Sequence, residues 1–227
     1  ARPMARAAVV QLAQRGATVL LRVNSEPAQW TQDLQDMPLA QLAAVMLPKV
    51  ETLAQLDNFA QALRARAVDS GHPPPPIAAL LETPLGVLAA SQIAQHPALC
   101  ALGFGAEDYA GALGVPPEPA ALAWPAHQVL TCAHAYGLAC WGLAGSIADV
   151  EDVAGFEHTV RAGRAMGQIV PDRLDLALGA AGGVKVHLRP GQAVLAIVVG
   201  GFQFDHMEAV VQHVDERQEQ HAIQAVL

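Results

Sequence analysis

Ile77-Ala-Ala-Leu-Leu-Glu-Thr-Pro84 and Leu99-Cys-Ala-Leu-Gly-Phe-Gly-Ala-Glu-Asp108 decide the fold. Each opens as an apolar, strand-like run, and each run is followed at once by an acidic residue or a short loop that carries one: Glu82 and Asp108. The two carboxylates stand about one βα unit apart. In a parallel α/β barrel the loops after the strands form the active face. Two carboxylates from neighbouring strand ends converge there, with the hard oxygen donors that Mg²⁺ prefers. An earlier run, Val19-Leu-Leu-Arg-Val-Asn24, brings the positive charge of Arg22 to the same face. A divalent metal, two acids and an arginine suit a substrate with carboxylate and carbonyl groups.

Outward from these runs, short apolar segments alternate with helix-length ones. Residues 6–14 read as a helix ended at Gly16, and 18–23 as a strand. A short helix over 39–44 leads into a strand ending at Leu47. Leu53, Leu56, Phe59, Ala60 and Leu63 recur at helical spacing, and Gly71-His-Pro-Pro-Pro-Pro76 breaks that helix. Thr83-Pro84 is a good helix start, with Thr as N-cap and Pro at the first position, for a helix to about residue 94. After the strand at 99–104 comes a loop with Gly111, Gly114 and Pro116-Pro117, then a helix over 118–136, a short strand over 139–143 and a helix over 150–166.

This alternation favours a parallel sheet. The polar residues fall at the carboxyl ends of the strands, where barrel chemistry is usually placed, and the core of the fold occupies residues 1–167. Residues 168–227 hold two strand-like runs, 184–188 and 193–199, and a helix-like run over 204–225 rich in Gln, Glu and His. They complete the barrel or form a C-terminal arm that packs on another subunit.

The chain has 227 residues, 52% hydrophobic and only 15% charged, which suits one large domain with a sizeable core. A net charge of -8 argues against a nucleic-acid surface, which needs clustered Lys and Arg. No segment has the unbroken apolar length of a membrane span. Cys100, Cys132 and Cys140 form no CxxC pair and read as reduced, buried thiols of a cytoplasmic protein. The nine histidines show no compact zinc-ligand spacing: His127 and His134 lie two helical turns apart, as do His206 and His213.

Four segments, taken in order, resemble one family. They are Leu21-Arg-Val-Asn24, Leu47-Pro-Lys-Val-Glu51, Leu81-Glu-Thr-Pro-Leu-Gly-Val87 and Gly103-Phe-Gly-Ala-Glu-Asp-Tyr-Ala110, with Leu113-Gly114 behind. The chain resembles the citrate lyase beta-subunit-like proteins, among the metal-dependent aldolases and CoA-ester lyases, over about residues 5–167. The resemblance implies a TIM-type (β/α)8 barrel, assembled as a homotrimer or hexamer. It implies that Glu82 and Asp108 hold Mg²⁺, that Arg22 binds substrate, and that a C–C bond next to a carbonyl is cleaved or formed. Three departures stand beside it. The family's first strand, ending in an acidic motif, has no counterpart here, so further residues are expected upstream of Ala1. Trp124-Pro-Ala-His127 stands where the family often has an arginine for CoA or phosphate. The family's later Gly-Phe-x-Gly-Lys pattern is not found after Gly167.

For the other candidates two readings stand side by side. Glu107 competes with Asp108 as ligand; strand-end alternation turns one of them away, and the family pattern selects Asp108. Glu82 and Asp108 also suit a helix start and a turn, and Arg22 suits an internal salt bridge. The backbone of Gly105, Ala106 and Glu107 offers donors to substrate. Lys49 and Glu51 read as residues that support the site, pairing with each other or with neighbouring loops.

The leading expectation is a Mg²⁺-dependent lyase acting on a 3-hydroxy-acyl-CoA such as citryl-CoA or malyl-CoA through a metal-stabilised enolate. Two alternatives are a free-acid aldolase that does not use CoA and a non-catalytic barrel subunit with a scaffold role.

Overall fold

The computed structural model describes residues 2–142, 144–146, 153–168, 184–189 and 192–199. Helix α1 (Arg2–Gln14) precedes strand β1 (Ala17–Arg22). Helix α2 (Pro27–Leu34) and a 3-10 turn (Leu39–Gln41) lead to β2 (Leu42–Leu47), and α3 (Leu53–Ser70) leads to β3 (Ile77–Leu81). Two short helices, α4 (Pro84–Leu88) and α5 (Ala90–Ile93), precede β4 (Leu99–Phe104). Helices α6 (Ala106–Leu113) and α7 (Pro119–Ala135) precede β5 (Ala139–Trp141). Helix α8 (Val153–Ala165) and strands β6 (Val184–Arg189) and β7 (Gln192–Val199) follow.

Strands β1 to β5 pair in chain order, all parallel, so their carboxyl ends share one edge. The result is an α/β fold whose parallel sheet forms a half-barrel. On the far side of β1 lies β7, also parallel, with Arg22 opposite Val199; β6 pairs antiparallel with β7. The described sheet ends at β5 and β6, and a closed ring of eight strands is not present among the described residues. Both strands expected after residue 183 exist, while the helix expected over 204–225 lies outside the described residues.

The apolar runs are explained by burial on both faces of the sheet. Val19, Leu21, Val45, Leu47, Ile77, Ala79, Leu81 and Leu102 pack with the helices in the main core. Leu20, Ala44, Met46, Ala78 and Ala101 form a second, smaller cluster of their own. Helix α3 is held at both ends. Thr52 and Gln55 make a reciprocal capping box, and Gly71 closes the helix in the left-handed region at φ +71°. Leu56, Phe59, Ala60 and Leu63 are buried as their spacing predicts, whereas Leu53, in the first turn, is exposed.

Local expectations fail where short helices sit between glycines and prolines. The stretch over 39–44 makes only one 3-10 turn, because β2 already begins at Leu42. The helix started by Thr83 is interrupted at Ala89 and divides into α4 and α5. The segment after Gly105, expected as a loop, forms the eight-residue α6, ended by Gly114 at φ +70°. No helix among the described residues is long and apolar enough to cross a membrane.

Candidate active site at the carboxyl edge of the sheet

Parallel pairing in register delivers the site. Arg22 is the last residue of β1, Lys49 and Glu51 follow β2, Glu82 directly follows β3, and Gly105 to Asp108 follow β4. Leu81 pairs with Phe104, and the Gly105 N–H donates to the Leu81 carbonyl at 3.0 Å, so the two loops leave the sheet side by side. A Cβ on Gly105 would fall 2.5 Å from Glu82 Cβ and 2.7 Å from Glu82 Oε2. Glycine is required there by the Glu82 side chain, which leans over it.

Glu82 is the buried centre of the site, at 3% exposure. Its Oε1 accepts the main-chain N–H of Lys49 at 3.1 Å, and Arg22 Nη2 lies 3.6 Å from the same oxygen. Burial pushes the Glu82 carboxyl above its usual range. The Arg22 guanidinium opposes that shift, Asp108 adds to it, and Lys49 opposes it by charge and by its N–H. A buried carboxyl beside two cations and a second carboxylate is the kind of perturbed group found in functional sites.

Asp108 stands in the first turn of α6, where the helix dipole favours an acid. Its side chain is about half exposed, and Lys49 Nζ lies 3.4 Å from its Oδ2. Lys49 thus touches both acids, Glu82 through its backbone and Asp108 through its ammonium. Its φ of +54° is unusual for a residue with a side chain, and such positions cluster at functional sites. Arg22, Lys49, Glu82 and Asp108 are therefore brought together by contact.

Of the two pairings expected for Lys49 and Glu51, the structure shows the one with neighbouring loops: Lys49 meets Glu82 and Asp108, and Glu51 Oε1 accepts the Thr83 hydroxyl at 2.7 Å, while that same Thr83 oxygen caps α4 through the Gly86 N–H at 3.1 Å. Two details differ from the sequence reading. Glu107 and Asp108 diverge because they are successive helical residues, not strand residues; Glu107 Oε1 accepts from Ser146 Oγ at 2.7 Å, on the loop after β5. The Gly105 N–H, expected as a donor to substrate, is instead spent on the Leu81 carbonyl, and beyond it lies the first turn of α6, where Ala106 is buried and no side-chain hydrogen bond caps the helix.

No group of three or more His, Cys, Asp or Glu that could enclose a metal occurs among the described residues. Two carboxylates nevertheless fit Mg²⁺, which is commonly held by one or two carboxylates, with water and substrate oxygens completing the shell. The Lys49 hydrogen bond and the Arg22 ion pair both fall on Glu82 Oε1, and Oε2 faces the Gly105 cradle. Among the described residues the histidines lie elsewhere: His96 is buried against Asp57 and the Ala98 N–H, and His127 bonds the Ala123 carbonyl of its own helix. All three thiols are free, and burial pushes Cys140 up to about 12, so it is inert as a nucleophile. Sequence reasoning does not single out Asp33, a buried carboxylate of α2 bonded to Asn24, two residues past Arg22.

The profile of the HpcH/HpaI aldolase/citrate lyase family matches residues 1–170. A citrate lyase subunit beta-like protein of Deinococcus radiodurans is 32% identical over 171 residues, which is 74% of this chain and 58% of that protein. A (3S)-malyl-CoA thioesterase of Cereibacter sphaeroides is 32% identical over 166 residues, 70% of this chain and 54% of that protein. The crystal structure of protein CitE from Mycobacterium tuberculosis in complex with magnesium and pyruvate superposes with a TM-score of 0.53 at 27% identity, covering 66% of this chain and 60% of that one. The chain spans little more than half the length of the curated relatives it matches.

Proposed function

The chain belongs to the HpcH/HpaI aldolase/citrate lyase family, and from that premise we propose that it carries the metal and substrate site of a Mg²⁺-dependent carbon–carbon lyase. The observation that carries this reading is the buried Glu82 carboxylate, held by the Lys49 N–H and facing Arg22 at 3.6 Å on the carboxyl edge of a parallel sheet. Glu82 and Asp108 would hold the ion, in line with the magnesium bound by the Mycobacterium tuberculosis relative. When bound, Mg²⁺ supplies Lewis-acid stabilisation to an enolate.

The chain's own residues do the rest. Arg22 offers a planar fork of donors to a substrate carboxylate. The first turn of α6, from Gly105 and Ala106 onward, turns its positive dipole end toward the same space. Lys49 and Glu51 act in support, Lys49 by orienting Glu82 and Glu51 by bonding Thr83 at the start of α4. The substrate proposed is a 3-hydroxy-acyl-CoA of the citryl-CoA or malyl-CoA kind, as the names of the curated relatives suggest. A cytoplasmic homotrimer or hexamer goes with this reading through the family resemblance.

A second reading, a lyase of free oxo or hydroxy acids, is favoured by one feature. Where the family often has an arginine for CoA or phosphate, this chain has His127, whose Nδ1 is engaged with the Ala123 carbonyl. Isothermal titration of oxaloacetate, pyruvate and acetyl-CoA, with and without Mg²⁺, on wild type and Glu82→Ala, tests both. Binding that needs Mg²⁺ and Glu82 supports a lyase, and the ligand that binds most tightly chooses between CoA ester and free acid. Binding that ignores both leaves a scaffold role.

A further inference from the structure

Asp33 is a buried carboxylate of α2, with a side chain 1% exposed. Both of its oxygens accept hydrogen bonds. Oδ1 accepts from Arg2 Nε of α1 at 2.9 Å, and Oδ2 accepts from both the main-chain N–H of Asn24 at 2.9 Å and Asn24 Nδ2 at 2.7 Å. The Asn24 carbonyl accepts from Trp30 Nε1 at 3.0 Å, and Trp30 packs edge-on against Phe59 of α3, with ring centroids 5.0 Å apart. Both main-chain groups of Asn24 are therefore bonded to α2, a helix anchored in the core.

Asn24 lies two residues beyond Arg22. Between them, the Val23 N–H still pairs with the Met46 carbonyl at 3.1 Å. The chain leaving β1 is thus fixed by the sheet on one side of Arg22 and by the Asp33 clamp on the other. A long arginine side chain has many rotamers, and its aim depends on where its backbone is held. Small errors in aim cost large factors in binding and rate. A buried ion pair is weak evidence of stability, since a well-packed apolar group often does as well. Its use here is geometric.

We propose that Asp33 is a positioning residue that holds Asn24, and through it sets the aim of Arg22 into the site. The proposal rests on the reading of Arg22 as the substrate-binding cation.

The test is a double-mutant cycle read by titration of pyruvate in saturating Mg²⁺, with Mg²⁺ alone titrated in parallel and amide hydrogen exchange followed at Val23 and Asn24. Asp33→Asn is expected to weaken pyruvate about tenfold or more, the effect of a small misalignment, while Mg²⁺ affinity stays unchanged and the two amides exchange faster. In an Arg22→Ala background the same substitution is expected to change pyruvate affinity no further, because it acts only through Arg22. Asn24→Ala, which removes the Nδ2 donor and leaves the buried carboxylate paired with Arg2, is expected to act in the same direction and serves if Asp33→Asn fails to fold. Wild-type affinity in both variants, or effects that multiply in full with Arg22→Ala, would overturn the proposal. A wild-type protein that binds no pyruvate counts against the free-acid reading of the site, and there the exchange rates decide: unchanged protection at Val23 and Asn24 in both variants overturns the clamp itself.

Discussion

The main-chain N–H of Lys49 donates to Glu82 Oε1 at 3.1 Å from a backbone held at φ +54°. The bond depends on the left-handed conformation, not on the lysine side chain. A β-branched residue resists that conformation strongly and glycine does not. Lys49→Val is expected to be about 1–3 kcal/mol less stable than Lys49→Gly, measured by urea unfolding. Equal stabilities would show that the turn relaxes without strain.

Glu82 should couple metal, pH and stability. Burial raises its carboxyl, so the folded chain binds that proton more tightly than the unfolded one. The stability contributed by the protonated form is present below the ordinary value of 4.5 and is lost as pH rises through the raised value. Without divalent metal, Glu82→Gln is therefore expected to exceed wild type in stability at about pH 7 and to match it at about pH 4. Mg²⁺ binding by wild type should strengthen across the same rise, since the ligand must be deprotonated, and Glu82→Gln should lose it. A Glu82→Gln protein that binds Mg²⁺ normally would remove Glu82 from the metal site.

Gly105→Ala places a methyl group against Glu82 Cβ and Oε2. The Cβ cannot swing away, because it is fixed to the strand end. The substitution is expected to cost about 1–3 kcal/mol and to weaken Mg²⁺ binding by displacing Glu82. Thermal unfolding and metal titration together check it; a stable variant with normal metal affinity would show that the loop after β4 shifts freely.

Thr83 should be a stability residue. Its oxygen caps α4 through the Gly86 N–H and its hydroxyl donates to Glu51. Thr83→Ala is expected to lower stability by about 1 kcal/mol and leave Mg²⁺ affinity nearly unchanged, read by denaturant midpoint and titration. A large loss of metal binding with intact stability would mean that the Thr83–Glu51 pair orients the site directly.

Much of this was legible along the chain, and the reason is local. A strand buried on both faces must be apolar throughout, so β1 to β4 announce themselves, and Arg22, Glu82 and the Glu107–Asp108 pair stand out as the first charges after or at the end of such runs, with the family pattern choosing Asp108. The Thr83 cap and the Gly71 stop were readable for the same reason, since each depends on neighbours within a few residues. What tertiary structure decided was non-local. That β7 pairs with β1 joins residues more than a hundred positions apart, and no local pattern specifies a strand's partner. That α6 is a helix at all follows from Ala106, Tyr109 and Ala110 being buried against the core, which outweighs the turn-forming glycines around them. Lys49 touching both acids, Glu82 leaning over Gly105, and Asp33 gripping Asn24 each require two chain segments to be placed against one another. Sequence by itself determined which residues are apolar, charged or helix-breaking; only packing decided which charges meet, because burial and pairing are properties of neighbours in space.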